Sequence, residues 1–366
     1  NPELVNEIGV VGTLTLNMSN FNINANINLR STATKTANVI YTAGNLGYGT
    51  GRFVAERYVA SGRKWRFLAV PTNGENTQTI RSAWQEGAAA IGSNPKPGYG
   101  MQVTDNRSTY SANGFDAQSV SGPSVKYWNG TGYTGIPSTT QPLQNLTGYA
   151  QTPFTAFMCF VRGDRTALST GSTVSATTLR TTGKIYTGDQ TVTVQSGNTY
   201  QAIGNPYASA INLKLTPYTG VVANTFYVWD PKLTGAYGLG AFQTVTLNGS
   251  NYTVSPGGGS YPVDGSANNL IQSGSAFFVK GSFTNPIKFN KRRRQESPAE
   301  RFISPQFLTQ TRNMMARETL FRDKCSIAGG TNVAQLCVYG TYKDAHEWKF
   351  IETFDPKKCK GHFYLS

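Results

Sequence analysis

The stretch that decides the fold reads Asn20-Phe21-Asn22-Ile23-Asn24-Ala25-Asn26-Ile27-Asn28-Leu29. Phe21, Ile23, Ala25, Ile27 and Leu29 share one parity, and asparagines hold the other. A period of two places alternate side chains on opposite faces, which predicts a half-buried strand. Just upstream, Leu14 and Leu16 alternate with Thr13, Thr15 and Asn17 in the same way. Polar asparagines outside a regular apolar face fit two arrangements, the stacked rungs of a parallel β-helix or a plain edge hairpin.

Outward from this stretch the composition stays that of strands and turns. The chain has 366 residues, 39 of them Gly, and only 14% are charged, well below the ~25% usual for soluble domains. Thr, Tyr and Asn in place of Lys and Glu favour strands joined by tight turns over helices. Strands are predicted at 154–162, 178–185, 191–195, 225–229, 242–247, 251–254 and 275–280, and Asn248-Gly249 is a hairpin turn signal between two of them. Ile80, Trp84 and Ala88 recur every four residues, so 78–90 is the one predicted helix of the body. The expected fold is all-β, a β-sandwich or jelly-roll-like module over 51–290, preceded by a strand-rich segment over 1–50 and followed by a basic tail over 291–366. No run of about 18 apolar residues is present to form a membrane-spanning helix.

Residues 52–72 are the most distinctive: two strand-like halves around Ser61-Gly62, with Arg57-Tyr58, then Arg63-Lys64-Trp65-Arg66-Phe67-Leu68 and Pro71. Further landmarks follow in order: Ala83-Trp84-Gln85-Glu86-Gly87, Gly98-Tyr99-Gly100, Gly114-Phe115-Asp116 and Phe160-Val161-Arg162-Gly163-Asp164-Arg165. Then come Leu179-Arg180-Thr181-Thr182-Gly183, Thr187-Gly188-Asp189-Gln190, Ile203-Gly204-Asn205-Pro206-Tyr207-Ala208-Ser209 and Ala276-Phe277-Phe278-Val279. As an ordered set over about 52–290 they resemble a β-rich module of exported Bacteroidetes cell-surface proteins, of the kind carried by the type IX secretion system. The resemblance implies an extracellular or cell-surface location and neighbouring domains of a larger chain, such as Ig-like repeats, β-helical stalks and a sorting domain. It implies little about activity.

The chemistry of catalysis is thin. Residues 1–290 contain no histidine, since His346 and His362 both lie in the tail, so Ser-His-Asp, Cys-His and His-ligated zinc sites have no material there. A glycosidase needs two carboxylates on one cleft, and the candidates are Glu86, Asp116, Asp164, Asp189 and Asp230. Asp189 is a weak candidate ligand for a structural calcium, although no dense acidic loop accompanies it. Cys159, inside Phe157-Met158-Cys159-Phe160-Val161, reads as a buried thiol. Arg162-Gly163-Asp164 spells a cell-adhesion tripeptide but follows an apolar strand, so it reads as a hairpin end with local charge pairing.

Binding is a stronger expectation than catalysis. Tyr127, Trp128 and Tyr133, in an aromatic and Gly-rich stretch, are candidate ligand-binding residues for a polysaccharide or cell-surface glycan; the plainer reading is a hairpin whose aromatics cover the end of the module. Trp65, flanked by Arg63 and Arg66, is either a core residue or a sugar-stacking platform. The net charge of +14 does not imply nucleic-acid binding by the body, where 19 Lys and Arg against 11 Asp and Glu are scattered. Residues 291–366 hold 14 against 8. The dense run Lys291-Arg292-Arg293-Arg294 marks either a separate basic domain or a shifted reading frame, which would turn that run into the acidic one that ends related modules. The expected function is a non-enzymatic extracellular surface or adhesion module; the alternatives are a carbohydrate-binding module and, third, a glycan-active hydrolase.

Overall fold

The computed structural model describes residues 7–295, apart from 75–76, 89, 120, 144–153, 168–173, 193–199, 214–220, 249–250, 261–263, 266–269, 282–286 and 290–293. The expectations for the tail over 291–366, the strand pair Arg294–Gln295 excepted, and for Gly249 of the hairpin turn fall outside the described residues. The chain is all-β, and no helix occurs among the described residues.

The asparagine-rich segment is not one strand. It breaks at Asn24-Ala25 into β2 (Thr13–Ile23) and β3 (Asn26–Leu29). With β1 (Glu7–Val10), β4 (Asn38–Tyr48) and β5 (Phe53–Val59) it forms two parallel ladders, β1-β3-β5 and β2-β4. Ile8 pairs with Ile27 and Ile27 with Phe53, while Leu14 pairs with Val39. A chain that alternates between two parallel ladders coils as stacked rungs, so the hairpin alternative is set aside. Inside the coil Val10, Leu14, Leu16, Ile23, Ile27, Leu29, Val39 and Phe53 form one buried cluster. Successive corners touch: Arg52 N–H donates to Asn26 Oδ1 (3.0 Å) and Gly49 N–H to the Ile23 carbonyl (3.0 Å). A Cβ on Gly51 would collide with the Ala25 backbone, so glycine sets how closely the rungs stack.

β5 belongs to two structures. One edge pairs parallel with β3; the other pairs antiparallel with β13 (Thr177–Ile185), which also pairs with β7 (Thr72–Asn73). A second antiparallel sheet runs β11 (Tyr133–Gly135), β10 (Val125–Trp128), β12 (Ala156–Val161), β6 (Lys64–Ala69). A third runs β15 (Tyr200–Gly204), β22 (Ala276–Gly281), β17 (Val221–Asp230), β18 (Ala241–Asn248), β19 (Asn251–Ser255), β20 (Asp264–Gly265). Short pairs complete the fold: β8 (Thr104–Asp105) with β9 (Ala117–Gln118), β14 (Gln190–Val192) with β23 (Ile287–Phe289), and β16 (Ala210–Asn212) with β21 (Leu270–Ile271) and β24 (Arg294–Gln295).

Period two sorts the side chains of the second and third sheets into layers. On β12, Phe157, Cys159 and Val161 join a core with Leu68, Trp84, Met101 and Val125. On the other face Ala156 and Met158 meet Phe67, Ala69, Ala202, Ala276 and Phe278, against which Trp65, Trp128, Tyr200, Tyr227, Trp229 and Phe242 pack. The reverse face of the third sheet buries Ile203, Phe226, Val228, Val245 and Phe277. The two sheets therefore face one another across an aromatic layer. At one end they nearly touch: Gly204 N–H donates to the Phe154 carbonyl (2.8 Å), and Ala69 N–H to the Gly274 carbonyl (3.0 Å). A Cβ on Gly204 would lie 2.7 Å from the Ala69 Cβ. Small residues occupy this closed corner and large aromatics fill the divergence beyond it.

Residues 78–90 are a chain of turns rather than the predicted helix. Ile80, Trp84 and Ala88 are buried as their spacing requires, but the backbone bonds do not form a ladder of constant span. Ala83 N–H reaches Thr79, Gln85 reaches Ile80, Glu86 reaches Ala83 and Gly87 reaches Arg81. Thr79 and Ser82 exchange side-chain and backbone bonds, and Glu86 adopts φ +53° before Gly87 at +77°, ending any helical path.

Candidate functional site

The sequence candidates for sugar binding split across a sheet. Trp128 and Tyr133 lie together in the aromatic layer, ring centroids 5.4 Å apart and edge to face. Tyr127 is one residue from Trp128 on β10, so it points the other way and packs on the core of Trp84 and Phe157. The three do not share one face. Trp84 is 2% exposed, in the core, while Trp65, Trp128 and Trp229 are half-buried in the layer.

The Trp128 and Trp229 indoles are stitched to the facing sheet or its approach. Trp128 Nε1–H donates to the Tyr200 carbonyl (3.3 Å), and Trp229 Nε1–H to the Trp65 carbonyl (2.8 Å). Trp65 rests on Phe160 at 5.3 Å, and Lys126 Nζ lies 5.0 Å over its ring. Lys280 lies 5.7 Å over Tyr200 in the same manner. An indole whose N–H is satisfied by backbone and whose ring is wedged between sheets serves cohesion first. Among the described residues, the exposed aromatics are Tyr133 at the rim and Tyr237, 86% exposed in the turn between β17 and β18.

The candidate carboxylates are engaged one by one. Asp116 and Arg165 form a two-pronged pair with both side chains fully buried, at 2.7 and 3.1 Å. Asp116 also accepts Val103 N–H (2.7 Å) and Gln85 Nε2 (2.9 Å). Arg165 donates further to the carbonyls of Ser93 (2.7 Å), Met101 (2.8 Å) and Ala90 (3.1 Å). Glu86 is gripped by Arg180, whose guanidinium lies 4.3 Å over the Tyr99 ring. Asp230 is buried and accepts from Lys232 N–H and from the Ser260 N–H and Oγ. Asp189 lies exposed on the turn before β14, and no group of three or more His, Cys, Asp or Glu suited to a metal occurs among the described residues.

Arg162-Gly163-Asp164 is buried along its length, which leaves no exposed tripeptide. Asp164 accepts from Thr166 N–H and Oγ1, Ser175 Oγ and Gly98 N–H. Burial raises its pKa, but those four donors outweigh burial and hold it below the usual carboxylate value. The expected local charge pairing is corrected here: Arg165 turns inward to Asp116, 49 residues away in sequence. Cys159 is fully buried, and burial pushes its thiol up.

One group escaped the sequence reading. Glu56 on β5 sits directly opposite Arg180 on β13, and it accepts Arg30 Nη1 (2.8 Å) and Ser31 N–H (3.1 Å). Burial raises its pKa against those bonds. The signal was a carboxylate at a strand position in a chain with so few charges. Beside it, Arg57, Leu68, Pro71, Trp84, Leu179 and Thr181 line a crevice with room for no more than about one water molecule. No protein-family model matches the chain, and no curated protein or solved structure matches it.

Proposed function

We propose that this chain is a non-enzymatic extracellular surface or adhesion module of a larger secreted protein, joined to a β-helical stalk. The observation that carries the reading is the double role of β5, the last rung of the parallel coil and a pairing partner of β13. Stalk and module share a backbone ladder with no linker between them, so load passes through hydrogen bonds in register. Engaged carboxylates support a role without catalysis, and the resemblance to exported Bacteroidetes modules supports the location. Brief trypsin treatment of intact producing cells tests it. The chain should be lost from the cell surface while a cytosolic marker survives; full protection of the chain on intact cells rejects the reading.

A second reading, a carbohydrate-binding module, is favoured by Tyr133 and Tyr237 at the surface and by cations over aromatic rings. Array binding to neutral glycans, lost in Tyr133→Ala or Tyr237→Ala, would support it; equal binding by both variants would count against it.

A further inference from the structure

Arg162 is 7% exposed, and its Nη1 has no hydrogen-bond partner. Its Nη2 donates to Thr104 Oγ1 (3.3 Å), and the guanidinium lies 5.0 Å over the Phe160 ring. No carboxylate pairs with it among the described residues. A second guanidinium adjoins it. β12 and β6 are antiparallel and their ladder ends with Val161 opposite Lys64, so Arg162 and Arg63 are the next residues outward, near enough for the charge of Arg63 to act on Arg162. Like charges facing each other at a strand end are unfavourable, and a buried cation without a counter-ion is more so. Burial and the charge of Arg63 pull the Arg162 guanidinium down to about 10. Three residues on from Arg63, burial and Arg57 likewise pull Arg66 down to about 10, with Asp230 opposing. Lys126 lies over the intervening Trp65.

Buried polar groups in native folds have partners, and an exception points to a missing ion or water. An anion at Arg162 Nη1 would supply both the acceptor and the counter-charge that this guanidinium lacks. A guanidinium fork matches the two oxygens of a carboxylate or sulfate. Approach is from the β5–β6 turn, where Ala60 and Ser61 are exposed.

We propose that Arg162 and Arg63 bind an acidic group of a polysaccharide, a uronate carboxylate or a sulfate ester, at the end of β6 beside Trp65 and Lys126. A sugar polymer fits better than nucleic acid because Lys126 and Arg162 lie over the half-buried rings of Trp65 and Phe160, pairing cation with aromatic. The choice of polysaccharide rests on the surface-module reading; the anion site itself does not.

Affinity electrophoresis of the full chain tests both. Gels contain polygalacturonate, heparin or neutral amylose, with single-stranded DNA as a competing polyanion. Retardation is expected in one or both acidic glycans and not in amylose, weakening at high salt. Polygalacturonate alone assigns uronate, and heparin alone assigns sulfate. Arg162→Gln and Arg63→Ser should each weaken retention about tenfold, the scale of a charge-assisted hydrogen bond, with melting midpoints within a few degrees of the parent. Arg162→Lys keeps the charge without the fork and should fall between. Arg292→Ser with Arg293→Ser, which halves the charge of the basic run, should leave retention unchanged. Inorganic sulfate should raise the melting midpoint of the parent and not of Arg63→Ser. No retention in either glycan, equal retention by Arg63→Ser, or loss on discharging residues 292 and 293 overturns the proposal. A sulfate effect without glycan retention overturns the polysaccharide while leaving the surface-module reading standing, and DNA binding as tight as glycan binding replaces the partner with nucleic acid.

Discussion

Arg165→Met removes the centre of the buried polar network without changing side-chain length much. Asp116 would keep two donors, Val103 N–H and Gln85 Nε2, but lose the cation. The carbonyls of Ala90, Ser93 and Met101 would lose the donors that Arg165 supplies. Breaking a buried pair by removing one partner costs about 3–5 kcal/mol, because the remaining charge stays desolvated. Each stranded carbonyl adds about 1 kcal/mol or more unless water reaches it. A loss of about 6–8 kcal/mol is therefore expected where water reaches none of the three carbonyls, and about 3–5 kcal/mol where it reaches all of them, a large fraction of the total stability of about 5–15 kcal/mol typical of a folded domain. Asp116→Asn in the Arg165→Met background removes the orphaned charge while keeping an acceptor for Val103. The double variant should regain about 2–3 kcal/mol of that loss. Urea unfolding followed by circular dichroism gives the four stabilities of the cycle, and hydrogen exchange at 90–103 reports whether the loss is local. A single variant within about 1 kcal/mol of the parent, below the range for a broken buried pair, would falsify the claim that this pair anchors the segment. A coupling near zero would do the same.

Further outcomes follow from other parts of the fold. Gly204→Val forces a side chain into the closed corner against Ala69 and the Thr155 carbonyl, so about 1–3 kcal/mol should be lost in urea unfolding, as overpacked cores generally lose. Trp229→Phe gives up the bond to the Trp65 carbonyl and should cost about 1 kcal/mol with a change in fluorescence. The depressed pKa of Asp164 means its charged form stabilises the fold above the unfolded carboxylate value near 4, and that contribution fades as pH falls through the lower folded value. Asp164→Asn should therefore lose stability at pH 7 and show a shallower decline below about pH 4, measured by melting midpoint against pH.

Alternation was readable because half-buried strands enforce it: β12, β13, β18 and β22 lie where the apolar parity places them. The break at Asn24-Ala25 was not readable. Ile23 and Ile27 are both buried on either side of the corner, so apolar parity runs through a bend that only the parallel pairing reveals. The spacing of Ile80, Trp84 and Ala88 marked three core residues correctly but not the helix, since successive turns also return the chain to the core. Tyr127 and Trp128 read as one aromatic patch because proximity in sequence says nothing about faces; on a strand, neighbours are opposed. The pairing of Arg165 with Asp116 and of Arg180 with Glu86 depends on contacts 49 and 94 residues apart, for which one sequence holds no local signal.

The sequence landmarks do, however, share a physical purpose. Gln85, Asp116 and Arg165 meet in one network, Glu86, Tyr99 and Arg180 in a second, and Asp164 holds Gly98 while Thr177 Oγ1 donates to the Gly100 carbonyl (2.6 Å). In the third sheet's core, Tyr207 OH donates to the Gly188 and Phe289 carbonyls, and Asn205 Nδ2 to those of Ser209 and Ile271. The described residues between 74 and 103 form no helix and no named strand, so their backbone needs partners from elsewhere. Side chains of Arg165, Asp164 and Asp116 supply them. Asp116, Asp164 and Glu86 are thus committed to holding this long connection against the sheets. At the cationic and aromatic rim, the buried Arg162 is a group whose bonding is incomplete.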